Sequence, residues 1–108
     1  MSFGLKENTI HKIQSVFTDY PEVTKAILYG SRAKGTHQNG SDIDLTLHGN
    51  EQLTLKVIYK IMNKLDDLFL PYTIDLSIFN NISDLDLIEH IRRVGVLFYE
   101  KDTKISLL

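Results

Sequence analysis

The chain has 108 residues, 43% of them hydrophobic and 24% charged, and carries a formal net charge of −2 from 12 basic and 14 acidic side chains. That size and balance suit a single domain over residues 1–108 with an ordinary core, and they exclude compositional disorder and a protein that coats nucleic acid by bulk electrostatics. There is no cysteine for disulfides or thiolate metal sites, no signal-peptide pattern in residues 1–8, and no apolar run near the roughly 20 residues of a membrane span, so a soluble cytoplasmic protein is expected.

In chain order, Asn8 to Phe17 carries Ile10, Ile13 and Phe17 at helical spacing, with Asn8 as the expected cap. Pro21 stops this helix. Ala26 to Tyr29 is a short apolar run closed by Gly30 and reads as a buried strand. Ser31 to Lys34 suits a helical turn, and Thr36 to Ser41 is a polar loop containing the turn pair Asn39-Gly40. Asp42 to His48 alternates: Ile43, Leu45 and Leu47 face one way, Asp42, Asp44, Thr46 and His48 the other.

Asn50 to Phe69 is the longest helical pattern, with Leu55, Ile58, Met62, Leu65 and Phe69 as its apolar stripe and Pro71 as its stop. Thr73 to Phe79 is a second alternating strand, with Thr73, Asp75, Ser77 and Phe79 opposite Ile74, Leu76 and Ile78. Ser83 opens a last helix with Asp86 three residues on, Leu85, Ile88, Ile91 and Val94 as its core face, and Gly95 as its C-cap. Val96 to Tyr99 reads as a final strand. The order α-β-β-α-β-α-β predicts an α/β (α+β) fold, a small mixed β-sheet flanked by helices.

Side chains at i and i+2 of a strand share a face, so Asp42 and Asp44 form a pair of like charges. Such a pair raises one pKa unless a cation separates the two groups. Oxygen-only donors suit Mg²⁺ or Mn²⁺. Asp75 repeats the placement on another strand, and if the two strands are neighbours three carboxylates converge. Such a set can hold two metals about 3.5–4 Å apart for in-line displacement at phosphorus. Either aspartate pair alone is equally an ordinary solvated strand face. Gly30-Ser31 alone is equally an ordinary strand-to-helix turn, although its backbone and hydroxyl donors suit phosphate, with Arg32 and Lys34 beside it. Gly30 and Gly35 have P-loop spacing, but Thr36 and His37 stand where Lys and Ser/Thr are required, so a P-loop is rejected.

Taken together, "YGSRAKG", "SDIDL" and a later strand aspartate resemble the signature of the nucleotidyltransferase superfamily typified by DNA polymerase beta. The compact Gly-Ser-Arg-Ala-basic-Gly form is similar to the minimal nucleotidyltransferases, the MNT proteins of prokaryotes, over nearly the whole chain. The resemblance implies the polymerase beta-like fold and transfer of a nucleoside monophosphate, AMP from ATP by preference over another NTP, to a hydroxyl acceptor with release of pyrophosphate. It implies that Asp42 and Asp44 bridge two Mg²⁺ ions, with Mn²⁺ as a substitute. Asp75 would bind the metal nearer the acceptor and take its proton. Gly30 and Ser31 would hold the triphosphate, and Arg32 and Lys34 would neutralise it.

The sequence after Asp75 provides one helix and one strand, too little to enclose a large acceptor. A partner or a homodimer is therefore expected. MNT proteins commonly pair with a small helical protein of the HEPN class as antitoxin to its toxin, and the resemblance makes a tyrosine hydroxyl there the expected acceptor. Two other readings stand beside this one: a nucleotide-binding module that neutralises a partner without catalysis, and a transferase acting on a small molecule such as an antibiotic. The four histidines show no metal-ligand spacing. His48 shares a face with Asp44, and His37 lies in the loop within conceivable reach of phosphate. Ile105, Leu107 and Leu108 make the tail a candidate docking segment.

Overall fold

A computed structural model describes residues 2–102 of the chain; Ile105, Leu107 and Leu108 lie outside the described residues. The elements run α1 (Glu7–Thr18), β1 (Val23–Tyr29), α2 (Ser31–Lys34), β2 (Ile43–Gly49), α3 (Leu55–Asp66), β3 (Ile74–Ile78), a 3₁₀ turn (Phe79–Asn81), α4 (Leu85–Val94) and β4 (Val96–Glu100). One four-stranded mixed sheet has the order β3-β2-β1-β4. β1 pairs antiparallel with β2 and β4, while β2 and β3 run parallel with α3 between them in sequence. The expected order of elements and the expected fold class are both found.

One face of the sheet makes the core. Ala26 and Leu28 of β1, Ile43, Leu45 and Leu47 of β2, and Leu76 and Ile78 of β3 are buried with Ile13 and Phe17 of α1 and Ile58, Ile61 and Leu65 of α3. Full burial of the Leu, Ile and Phe side chains among these contributes about 1.5–3 kcal/mol each. Register is therefore strongly specified, because a one-residue slip of β2 would drive Asp44 into this layer. The alternate residues, Ile27 and Tyr29, face α4: a Cβ placed on Gly95 would lie 2.7 Å from Ile27 Cγ2, and the Tyr29 ring stands against His90. The carboxylate-bearing face of β2 and β3 is thus the face on which α4 sits.

Several helix ends differ from expectation. α1 starts at Glu7 after Lys6, with no side-chain cap, so Asn8 lies inside the helix. α3 starts at Leu55, where Thr54 accepts a hydrogen bond from the Val57 amide, and ends at Asp66. The chain turns out of α3 before Pro71, leaving Phe69 with φ of +53° and 89% exposed, and Leu55 is 56% exposed. The buried stripe is Ile58, Ile61 and Leu65 instead. α4 is capped by Asp84, whose Oδ1 accepts from the Asp86 and Leu87 amides, not by Ser83. That shift puts Leu85 in the first turn at 78% exposure, out of the core face that Ile91 occupies. Gly95 does end α4, but with φ of −63°; its lack of a side chain matters because a Cβ would lie 2.3 Å from the Ile91 carbonyl oxygen.

Candidate active site

β1 ends at Tyr29 and the backbone turns at Gly30 with φ of +78° and ψ of −156°, a region that disfavours residues with a side chain. Ser31 then opens α2, whose turn is closed by Lys34 N–H donating to the Gly30 carbonyl at 3.1 Å. The first turn of any helix leaves N–H groups without intrahelical acceptors. Beside this turn lies Asp44, the cross-strand partner of Tyr29. A Cβ on Gly30 would sit 2.3 Å from Asp44 Oδ2. The Asp44 carboxylate therefore occupies the space that glycine leaves open, and the two motifs are one packed unit.

Parallel pairing of β2 and β3 sets Asp44 directly beside Asp75. Two carboxylates on adjacent strands in register repel unless something positive joins them. Burial first, then the Asp75 and Asp42 charges, hold the Asp44 carboxyl above the usual carboxylate range, with His90 on α4 opposing. Asp42 lies one residue before β2, so strand alternation does not dictate where its side chain points. It acts on Asp44 through charge, but among the described residues no group of three or more His, Asp or Glu side chains is gathered so as to hold a metal ion. The structure sets Asp44 and Asp75 side by side at the Gly30-Ser31 turn, with Asp42 one residue before β2 and close enough to act on Asp44 through its charge. The oxygen-only donors of Asp44 and Asp75, side by side, fit a hard divalent cation.

The two basic residues part company. Lys34 is exposed. Arg32 is only 3% exposed. Its guanidinium donates from Nη1 to the Phe3 carbonyl at 2.8 Å, and from Nε and Nη2 to the Ser41 carbonyl at 3.1 and 2.9 Å. It also lies 4.9 Å from the centre of the Tyr72 ring. Of the histidines, His48 stacks on Phe79 at 4.6 Å, further along the sheet from Asp44, and its pKa is lowered by burial and then by Lys25. His37 packs its ring against Gly4, and its buried Nδ1 has no hydrogen-bond partner among the described residues.

Three residues join the site that the sequence did not mark. Tyr29 is 8% exposed, and its hydroxyl is held above its usual pKa by burial, then by Asp75 and Asp44, with Ser77 opposing. Ser77 donates to Thr46 Oγ1 at 2.9 Å. His90 meets the Tyr29 ring edge-on at 6.2 Å. Alternation in β1 could have separated Tyr29 and Ile27 from Ala26 and Leu28, but an all-apolar run hides its own period. Nothing local to α4 points to His90; only the packing of α4 on β1 does.

A mixed sheet with a Gly-Ser turn at the end of one strand and carboxylates in register on the next two defines a nucleotidyltransferase domain. The family model for "Polymerase beta, Nucleotidyltransferase" matches residues 11–104, and the chain belongs to that family. It is a nucleotidyltransferase. No curated protein matches it. Among solved structures, one of a toxin–antitoxin with AMP-PNP contains a chain that is similar at a TM-score of 0.68 and 23% identity, over 95% of this chain and 80% of that one. A second, of the toxin–antitoxin MntA-HepT, matches at 0.66 and 18% identity over 94% and 79%. A third, tri-AMPylated Shewanella oneidensis HEPN toxin in complex with MNT antitoxin, also matches at 0.66 and 18%, over 95% and 79%. At such identities the likeness is one of fold.

Proposed function

We propose that this chain transfers a nucleoside monophosphate, AMP from ATP in the leading case, to a hydroxyl on a small helical HEPN-type protein, and that it acts as the antitoxin of that pair in the cytoplasm. The observation that carries the reading is the register of Asp44 against Asp75 beside the Gly30-Ser31 turn. The fold shared with chains from toxin–antitoxin complexes supports the choice of partner. Among the described residues no helix is long and apolar enough to cross a membrane.

In this reading Ser31 and the backbone amides after Gly30 hold the β- and γ-phosphates, and Lys34 neutralises the leaving pyrophosphate. Asp42, Asp44 and Asp75 would hold Mg²⁺, which supplies charge neutralisation at the reacting phosphate when bound. Asp75, the more exposed of the paired carboxylates, faces the acceptor and takes its hydroxyl proton. The acceptor oxygen forms a bond to the α-phosphorus, the α–β anhydride bond breaks, and pyrophosphate leaves. Such a reaction asks of the protein mainly positioning and charge neutralisation.

The test is to co-express the chain with the proposed HEPN-type partner and to follow α-labelled ATP and intact mass. Label on the partner, lost in Asp44→Asn and Asp42→Asn, is the expected result. Transfer that persists in both variants overturns the reading. Neutralisation of the partner by Asp42→Asn with no transfer assigns the chain to binding alone.

A further inference from the structure

Arg32 follows the Gly30-Ser31 turn directly and would be expected to reach out to phosphate. It turns inward instead. We infer that Arg32 is a positioning residue that clamps the Gly30-Ser31 turn to the segments carrying the carboxylates, and that it does not bind the triphosphate.

Its three hydrogen bonds and its ring contact reach three separate stretches of chain. The Ser41 carbonyl, which receives two of the bonds, belongs to the residue immediately before Asp42. Tyr72, under the guanidinium, stands just ahead of β3, where the Ile43 amide also donates to the Thr73 carbonyl at 2.9 Å. Phe3, which receives the third bond, sits in the tight turn closed by Ser2 and Leu5, and its ring packs 6.2 Å from Phe98 of β4. One planar cation thus ties the end of the loop before β2, the entry to β3 and the N-terminal arm to the phosphate turn.

The chemistry fits arginine and no other residue. A guanidinium can donate to two carbonyls in its own plane while offering its face to a ring; an ammonium is a point charge that cannot do both. A buried cation must be satisfied by acceptors, and the Phe3 and Ser41 carbonyls together with the Tyr72 face serve that purpose here. Those contacts hold the donors away from a ligand at the Gly30-Ser31 turn. The exposed Lys34, two residues on, is left to meet the phosphates. Small misplacements of catalytic groups are expensive: about 1 Å can cost on the order of 100-fold in rate. Asp42, outside β2 and free of ladder constraints, is the carboxylate most dependent on such a clamp.

The inference rests on the nucleotidyltransferase reading for its kinetic arm and not for its structural arm. In the free chain, hydrogen exchange at the Thr36, Gln38 and Ser41 amides is measured for wild type, Arg32→Lys and Lys34→Gln. These amides are held by the Ser31 carbonyl, Ser41 Oγ and the Gln38 carbonyl. Arg32→Lys should speed their exchange about tenfold or more while core strand amides are unchanged, and Lys34→Gln should not. In transfer assays well below the melting temperature, Arg32→Lys should lower kcat about tenfold and raise the Mg²⁺ concentration for half-maximal rate, with KM for the triphosphate within about threefold of wild type. Lys34→Gln should show the reverse split.

Wild-type exchange and wild-type kcat in Arg32→Lys would overturn the clamp, as would a loss confined to KM for the triphosphate. If Arg32→Lys does not fold, Tyr72→Leu removes the ring from under an intact guanidinium. It should give the same pattern at about threefold; unchanged exchange in that variant overturns the clamp too. A wild-type chain that transfers nucleotide to no acceptor would refute the functional reading, and the exchange experiment would still decide the clamp.

Discussion

Replacing Gly30 with alanine separates what the backbone requires from what the site requires. Gly30 has φ of +78° and ψ of −156°, and a Cβ there lies 2.3 Å from Asp44 Oδ2, 3.3 Å from Asp44 Cγ and 3.6 Å from Asp44 Cβ. Two costs follow. Gly30 lies in a backbone region almost exclusive to glycine, which costs alanine about 1–3 kcal/mol. The overlap with Oδ2 cannot persist, and the movable group is the Asp44 side chain, because none of the three contacts is to backbone. Gly40 provides the control: its φ is +82°, and a Cβ there meets nothing within 4 Å among the described residues.

Both variants should therefore lose stability by about 1–3 kcal/mol from the backbone alone. For a chain of 108 residues that lowers Tm by about 4–13 °C. Displacing the Asp44 carboxylate adds little to stability loss, since the group already sits above its ordinary pKa beside Asp75 and Asp42. Transfer responds differently. Gly40→Ala should keep activity within about threefold of wild type, and Gly30→Ala should lose about 100-fold or more, because a carboxylate placed about 1 Å off costs that much. Thermal melts and label transfer to the partner read the two quantities separately. Equal activity in the two variants would refute the claim that Gly30 exists to seat Asp44.

Asp44→Asn should raise the melting temperature of the metal-free chain near neutral pH while abolishing transfer. A carboxyl whose folded pKa is raised binds its proton more tightly when folded, so its ionisation destabilises the fold as pH rises through the window between the ordinary and the raised value. A lower melting temperature in Asp44→Asn at neutral pH would contradict this. His48 works in the opposite sense: its pKa lies below the usual 6.5, so the stability associated with its neutral form is present above 6.5 and is lost as pH falls toward the lowered value. Denaturation midpoints between about pH 7.5 and 5 should fall less steeply in His48→Gln than in wild type, and parallel curves would dismiss the effect. On α4, Ile91→Ala should cost about 2–5 kcal/mol, whereas Leu85→Ser should stay within about 0.5 kcal/mol. Comparable losses in urea melts would mean that the buried face of α4 is misassigned.

Much of this protein is legible without coordinates. Alternation in Ile43-Asp44-Leu45 and in Ile74-Asp75-Leu76 assigns each aspartate to the face opposite the core, because a strand's side chains have a period of two whatever surrounds it. The same period identifies β2 and β3, and apolar spacing identifies the helices. Helix limits were less legible. Leu55, Phe69 and Leu85 extend the apolar pattern past the true helix faces, and capping by Thr54 and Asp84 overrides it.

Only tertiary structure decided which strands lie side by side. β2 and β3 are separated by a whole helix in sequence, and their parallel register, which sets Asp44 against Asp75, arises from packing α3 over the sheet. It also set the direction of the Arg32 side chain. A basic residue beside a Gly-Ser turn reads as a phosphate ligand from sequence, since charge is visible there and direction is not. The direction depends on the Ser41 carbonyl at the end of the following loop and on the Phe3 carbonyl and the Tyr72 ring, which come from segments remote in the chain. The residue types that permit the chemistry are thus a local property of the sequence. Their distances and orientations are a property of the packed chain, because hydrogen bonds and burial between distant segments set them.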